Sequence, residues 1–418
     1  MRLNSAFAKP IGKFAAGSAL SQVIVALSIP IVARIYDPIV LGSFLILDAF
    51  CDIFAYGATL ALDKAIYVTR SARGVRDLIA ATLISISLVA MLAGALFWAA
   101  IKAGLVPEML AQTWLVLAVI VVVWCRGAYY LFQSLTIRAS RFGTLVLAEN
   151  LRAATLVAGR IGLGLKGFGF AGLVVSSVLG AAIAAIALTR RTWADLGRAR
   201  RNLGAAQFLR TLKRHRERIL YEGGGQFLSQ FPMRGPVFVI TIFFTAAGAG
   251  IYAIGFLLAY RPVELIVRST TEVLRASIAQ HIRDGNLPEA RRLGIALIQK
   301  LTLSALFTSF SVATLVYLTE GILFPPEWKG VGAVCLANAL FVAGLLVLRP
   351  VQIIFSLYGR QRMSLVLEGS AVVACFGAIV IGGSFGASLE VVCLLSGLAM
   401  VGVLLPLALV ALSTLKAA

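Results

Sequence analysis

The stretch TRRTWADLGRARRNLGAAQFLRTLKRHRER, residues 189–218, lies near the midpoint of the 418-residue chain. It carries Arg190, Arg191, Arg198, Arg200, Arg201, Arg210, Lys213, Arg214, Arg216 and Arg218 against only Asp195 and Glu217. Long apolar segments flank it on both sides. A run this cationic between membrane-length segments resists translocation, so it is expected to stay in the cytoplasm and to set the orientation of everything around it. Read instead as a nucleic-acid patch, it would need a soluble domain to present it. The sequence contains no such domain, and nucleic acid is excluded as a partner.

Hydrophobic residues fill 60% of the chain and charged residues only 13%, whereas soluble domains sit near a quarter charged. The composition is that of an all-α polytopic membrane protein. The net charge of +20 falls mostly in one alternating set of loops, so orientation accounts for much of it. A basic inner surface would also favour anionic membrane lipid. The cysteines Cys51, Cys125, Cys335, Cys375 and Cys393 all lie in apolar segments without CxxC spacing and read as small buried hydrophobes. The apolar run from Phe14 to about Ala33 is longer than a signal-peptide core and is read as an uncleaved first span.

Crossing roughly 30 Å of hydrocarbon at about 1.5 Å per residue divides the sequence into twelve expected spans. The first six cover about 14–33, 41–62, 78–101, 114–135, 144–164 and 170–188. The second six cover about 222–244, 250–272, 293–317, 331–355, 363–382 and 390–412. With both termini cytoplasmic, every second loop should be basic. Those holding Arg70, Arg73 and Arg76, then Arg138 and Arg141, the central stretch, Arg283, Arg291 and Arg292, and Arg360 and Arg362 all are. The expected organisation is an N-terminal six-helix lobe over 1–188, a basic cytoplasmic linker over 189–218, and a C-terminal six-helix lobe over 219–418. The outer loops are too short to hold a catalytic domain. Six spans per half imply a parallel repeat, and Gly42-Ser43-Phe44-Leu45 and Gly250-Ile251-Tyr252-Ala253 open corresponding helices.

An ionisable group at mid-membrane costs about 2.5–3.5 kcal/mol on insertion scales and therefore faces a partner or a wet cavity. Asp48 and Asp52 sit one turn apart in the second span and share a face. Arg126 is midway along the fourth span. Glu149 and Arg152 are spaced to pair in the fifth, with Arg160 farther out, and Arg234 lies between Pro232 and Pro236 in the seventh. Arg261, Glu264, Arg268, Glu272 and Arg275 form a charged stripe on the eighth. Lys300, Arg349 and Glu368 lie nearer the inner ends, within snorkelling reach of water. Asp63 and Lys64 at the end of the second span read as interfacial anchors.

Arginine outnumbers carboxylate in the deep set, and its planar fork suits phosphate oxygens. Arg126, Arg152, Arg234, Arg261 and Arg268 are therefore the expected anion-binding residues of a central cavity. Asp48, Asp52, Glu149 and Glu264 are the candidates for ion coupling. No catalytic residue, metal site or cofactor is expected. Gly162-Leu163-Gly164-Leu165-Lys166-Gly167 fits a dinucleotide fingerprint in letters alone, because it ends a span with no strand before it. His215 and His281 stand far apart in inner loops without ligand spacing.

Taken together, Arg34-Ile35-Tyr36-Asp37-Pro38 with Gly42, Leu62-Asp63-Lys64-Ala65-Ile66, Gly250-Ile251-Tyr252-Ala253 with Pro262, Phe324 with Glu327-Trp328-Lys329-Gly330, and Tyr358-Gly359-Arg360-Gln361 resemble the polysaccharide-synthesis flippases. These are bacterial exporters of lipid-linked O-antigen, capsule and exopolysaccharide units, within the multidrug/oligosaccharidyl-lipid/polysaccharide superfamily. The likeness covers nearly the whole chain. Pro325-Pro326 stands where such proteins more often carry a glycine, and Asp63-Lys64 replaces an Arg-bearing phrase. The resemblance implies two six-helix lobes around a cavity that opens alternately to each side of the inner membrane. It further implies an undecaprenyl-pyrophosphate-linked oligosaccharide as substrate, with a polysaccharide polymerase and glycosyltransferases as partners in the pathway. The alternatives are a multidrug or cation antiporter of the same superfamily, for which organic cations would call for an acidic, aromatic cavity, and an exporter of another lipid-linked precursor, such as a lipid II-type flippase. A membrane-bound polymerase or ligase would need a larger outer loop.

Overall fold

The computed structural model of the protein describes residues 5–69, 71–139, 141–199, 204–283, 286–357 and 361–417. The side chains of Arg190–Ala199, Arg268, Glu272, Arg275 and Arg349, and the whole of Tyr358–Arg360, lie outside the described residues. Every regular element described is helical. In the first half these are α1 (Ser5–Ile35), α2 (Pro38–Gly57), α3 (Leu62–Val68), α4 (Ala72–Lys102), α5 (Trp114–Arg138), α6 (Phe142–Leu165), α7 (Gly169–Ala199) and α8 (Ala205–Arg214). The second half begins with short pieces: α9 (Arg216–Arg218), a π-helical turn (Ile219–Gly223), α10 (Gly224–Ser229) and α11 (Phe231–Arg234). There follow α12 (Pro236–Arg283), α13 (Leu287–Leu323), α14 (Val331–Leu357), α15 (Gln361–Ser384) and α16 (Leu389–Ala417).

Among the described residues nine helices are long and apolar enough to cross a membrane, and one of them, Arg216–Glu264, holds the seventh expected span and most of the eighth. Thr245, at φ 64 and ψ 178, breaks α12 between those two. Of α1 the described side chains take in the apolar run Leu20–Ile35, and α6 falls outside the nine because Glu149, Asn150, Arg152 and Arg160 interrupt it. The helices thus accommodate all twelve expected spans in an all-α, multi-pass membrane protein. Two expected spans are not one continuous helix: 41–62 turns between α2 and α3, with Leu60 and Ala61 at positive φ, and the seventh is broken near its prolines. Pro232 and Pro236 each remove a backbone donor, and Gly235 N–H closes a tight turn onto Phe231 O at 2.7 Å.

Contacts divide the chain into two compact units, one of residues 1–36 and 43–230 and the other of 37–42 and 231–418. In the first, α1 packs on α6, α4 on α5, and α7 on both α5 and α6. In the second, α12 packs on α13 and α14, and α16 packs on α14 and α15. Lipid is as apolar as leucine, so shape fit, interhelical hydrogen bonds and small residues hold such bundles together. The surface follows that logic, with Leu117, Leu303, Phe307 and Leu318 among the large apolar side chains it exposes.

One end of the first unit is a dense core of Leu62, Ile66, Leu78, Ile79, Ile86, Leu131, Phe132 and Leu145. Helix α8 rests on it through Phe208 and Leu212, one turn apart, leaving Arg210, Lys213 and Arg214 exposed. In the second unit the glycines of the two repeat phrases meet. A Cβ on Gly42 would lie 2.0 Å from Ala246 O, and one on Gly250 would lie 2.4 Å from Pro38 O. Only hydrogen at both positions permits this backbone approach.

Candidate functional site

The polar centre of the first unit is built from α2, α5, α6 and α7. Helical spacing puts Asp48 and Asp52 on one face of α2, and Arg126 of α5 reaches across to both. Arg126 Nη2 lies 2.5 Å from Asp48 Oδ1, Nη1 pairs with Asp52 Oδ1, and Nη2 also donates to Ser177 Oγ of α7 at 2.9 Å. Ser177 in turn donates to Asp48 Oδ1 at 3.3 Å. Arg126 is only 7% exposed. Its planar fork satisfies two carboxylates at once, which a lysine could not do in this geometry. Arg126 was expected among cations offered to a substrate; here its fork is spent on carboxylates of its own unit. The group carries one positive and two negative formal charges.

Helix α6 arranges its charges differently from the expected Glu149–Arg152 pair, which does not form. Tyr129 of α5 separates the two. The Arg152 guanidinium lies over the Tyr129 ring at 5.8 Å, while the Tyr129 hydroxyl approaches Glu149 Oε1 at 3.5 Å. One aromatic residue thus offers a π-face to the cation and a donor to the anion. Two turns on, the Arg160 guanidinium lies over the Phe44 ring at 5.0 Å, and its backbone carbonyl accepts from the Tyr36 hydroxyl at 2.8 Å. Arg160 Nε and Glu149 Oε2 are buried and make no hydrogen bond. Among the described residues neither Arg152 nor Arg160 forms an ion pair.

In the second unit Arg261 and Glu264 of α12 form an intrahelical pair, Nη1 to Oε2 at 3.8 Å, with both side chains about four-fifths buried. Arg234 ends α11 and is half-buried beside Gly235, whose missing side chain makes room for the Phe376 ring. Arg268 lies outside the described side chains. At the end of the first unit where α8 packs, α8 and α9 present Arg210, Lys213, Arg214 and Arg216 alongside exposed Leu209 and Leu220. His215 lies among them. Burial, then the charges of Arg214 and Arg218, hold its imidazole below the usual histidine value.

Ser177 and the rings of Tyr129 and Phe44 were not singled out from sequence. A serine or an aromatic residue in an apolar span gives no signal by itself, and only the helix packing brings these three to the charges. The GxGxxG letters end α6 and its capping turn, with no strand before them.

A 12%-identical solved structure, the lipid II flippase MurJ in an inward closed conformation, superposes with a TM-score of 0.76, covering 95% of this chain and 87% of that one. A multidrug resistance MATE family transporter of the MOP superfamily, inward-facing, matches at 0.68 with 16% identity over 94% and 95% of the two chains. The Vibrio cholerae MATE transporter VcmN matches at 0.61 with 12% identity over 98% and 99%. At these identities the likeness shows the fold, which is that of solved MOP-superfamily transporters. No protein-family model matches the sequence, and no curated protein does.

Proposed function

We infer that the protein is a flippase rather than an enzyme, carrying an undecaprenyl-pyrophosphate-linked oligosaccharide across a bacterial inner membrane by alternating access for surface-polysaccharide synthesis. The observation that carries this reading is the pair Arg152 and Arg160, two guanidinium groups on one helix, each laid on an aromatic ring and neither in an ion pair among the described residues. A guanidinium held this way has donors available for phosphate oxygens. Arg234, Arg261 and Arg268 remain the proposed contributions of the second unit. Arg126 acts with Asp48 and Asp52 as the coupling group, because a phosphate that draws on Arg126 releases a carboxylate to take a cation. Glu149 and Glu264 are the further coupling candidates. Both termini and the basic surface of α8 face the cytoplasm and its anionic lipid, and the pathway's glycosyltransferases and polymerase are the proposed partners.

The test is a proteoliposome assay with a fluorescent lipid-pyrophosphate oligosaccharide. Arg152→Gln and Arg160→Gln are expected to slow flipping roughly 10- to 100-fold each, the loss of one charge-assisted contact, and Arg→Lys to restore part of it. Wild-type rates in both glutamine variants and in their combination would refute the anion site. An ionophore that leaves the rate unchanged would remove the coupling idea. A second reading has its own support: Asp48, Asp52 and Glu149 match Arg126, Arg152 and Arg160 in number, and two of the compared structures are MATE transporters. Efflux of an organic cation that depends on Asp48, with no flipping of lipid-linked sugar, would select it. Flipping of lipid II in place of the oligosaccharide would select the other lipid-linked precursor.

A further inference from the structure

Helix α2 stops at Gly57, and the chain turns through Ala58–Ala61 before α3 begins at Leu62. Leu60 and Ala61 adopt left-handed backbone angles, φ 50 and φ 56. Hydrogen bonds here run from Leu60 N to Gly57 O and from Leu62 N to Thr59 O, so the usual i→i−4 ladder is interrupted. Asp63 follows directly, in the first turn of α3, and is 93% buried (7% exposed) among Ala58, Leu62, Ala65 and Ile66. Its Oδ2 accepts from Ser134 Oγ of α5 at 3.1 Å, and Ser134 Oγ accepts from the Tyr67 hydroxyl at 3.0 Å. Its Oδ1 is buried and makes no hydrogen bond.

An ionised carboxylate has about four acceptor positions, and a single hydroxyl donor in an apolar surround leaves its charge largely uncompensated. The cations on neighbouring elements do not discharge it. Arg138, one turn past Ser134 on α5, gives Nη1 to the carbonyls of Ile66 and Thr69. Lys64 is exposed, and as the next residue on the helix it projects about 100° away. On α4 the charged groups at this end are Arg73, Arg76 and Asp77, with Lys102 at the far end, and behind Leu60 the pair Arg218–Glu222 is closed at 3.2 Å. Among the described residues no Lys or Arg forms an ion pair with Asp63.

We propose that Asp63, with Ser134 and the interrupted backbone of Ala58–Ala61, forms a binding site for one small monovalent cation, sodium or a proton, separate from the Arg126 group. The deficit at Oδ1 is a single positive charge. A lone carboxylate excludes a dedicated divalent site, since calcium and magnesium draw on several oxygen ligands and more negative charge. The carbonyls of Gly57, Ala58 and Thr59 already accept from Leu60 N, Ser85 Oγ and Leu62 N, and the second lone pair that each carbonyl keeps is the oxygen donor assigned here to sodium. Tyr67, 43% exposed, links the buried carboxylate to the surface through Ser134, which is a route for the cation or the proton. Arg126 and Ser134 both lie on α5, about two turns apart, so occupancy at Asp63 acts on the helix that holds the Arg126 group.

The test uses the purified full-length protein in nanodiscs, equilibrated in N-methyl-D-glucamine chloride. In one arm sodium is titrated at fixed pH, with binding of radiolabelled sodium and thermal stability as readouts. In the other, pH is varied without sodium. Saturable sodium binding with stabilisation, abolished in Asp63→Asn, weakened about tenfold in Ser134→Ala and retained in Asp48→Asn, supports the site with sodium as ligand. Stabilisation by pH alone, with an infrared carboxylic-acid band that Asp63→Asn removes, supports it with a proton. Should Asp63→Asn fail to fold, Ser134→Ala and Tyr67→Phe decide: wild-type titrations of both arms in both variants overturn the proposal. Equal responses of wild type and Asp63→Asn in both arms overturn it as well.

Discussion

Replacing Arg126 with methionine keeps an unbranched stem, stops short of the guanidinium position and removes the charge. In the folded protein the guanidinium answers Asp48, Asp52 and Ser177 while only 7% exposed. Without it, two carboxylates one turn apart on α2 face each other in an apolar bundle. Removing one partner of a buried ion pair costs about 3–5 kcal/mol, and the second carboxylate puts this case at the upper end. At about 2–4 °C per kcal/mol for a unit of some 200 residues, the predicted fall in melting temperature is roughly 6–20 °C. The remedy follows from the same accounting: Arg126→Met combined with Asp48→Asn and Asp52→Asn leaves no unpaired charge and should regain most of the loss. Thermal melting of the purified variants, run with the two asparagine variants as a mutant cycle, measures both quantities. If the single variant melts within about 2 °C of wild type, or the triple variant melts no higher than the single, the carboxylates are not held by Arg126 and the coupling role built on that group fails with it.

Three further outcomes follow from other parts of the fold. A side chain at Gly42 or Gly250 would strike backbone, at 2.0 Å from Ala246 O and 2.4 Å from Pro38 O. Gly42→Val and Gly250→Val should each therefore lower stability by about 1–3 kcal/mol or more and reduce transport, whereas valine at Gly162, where the space is open, should melt as wild type does. Neutralising Arg210, Lys213, Arg214 and Arg216 to glutamine should remove about 1 kcal/mol of attraction to anionic lipid per residue. The loss is to be read as binding of labelled anionic lipid to the protein in nanodiscs, and raised salt should mask the difference. For His215 the sign is set by its lowered pKa. The unfolded chain binds a proton more readily than the folded one, so His215's contribution is intact above about pH 6.5 and is lost as the pH falls below it. His215→Gln should flatten the melting curve's dependence on pH in that window, and an unchanged slope would count against the burial of this imidazole.

The fold was legible because membrane topology is written in two coarse signals, apolar length and loop charge, and neither depends on which helices touch. The basic stretch 189–218 anchors the count, and two spans differ from one continuous helix: 222–244, where Pro232 and Pro236 act locally, and 41–62, which turns at Leu60 and Ala61. The site was legible only by residue type. Spacing placed Asp48 and Asp52 on one face because both lie on one helix, but it could not say that their partner is Arg126, 74 residues beyond Asp52. Nor could it say that Tyr129 would come between Glu149 and Arg152. The i, i+3 rule compares only residues on the same helix, and here a ring from a neighbouring helix offers each charge a better contact. Asp63 marks the same boundary from the other side. Beside Lys64 at the end of a span it reads as an interfacial anchor, and only the turn at Leu60 and Ala61, which no residue type there announces, carries its carboxylate into the interior. Surplus charge in a sequence is therefore no guide to charge on offer in the fold: Arg126, the most central arginine by position, is the one whose fork is taken, and Arg160, read as peripheral, has a buried nitrogen with no hydrogen bond.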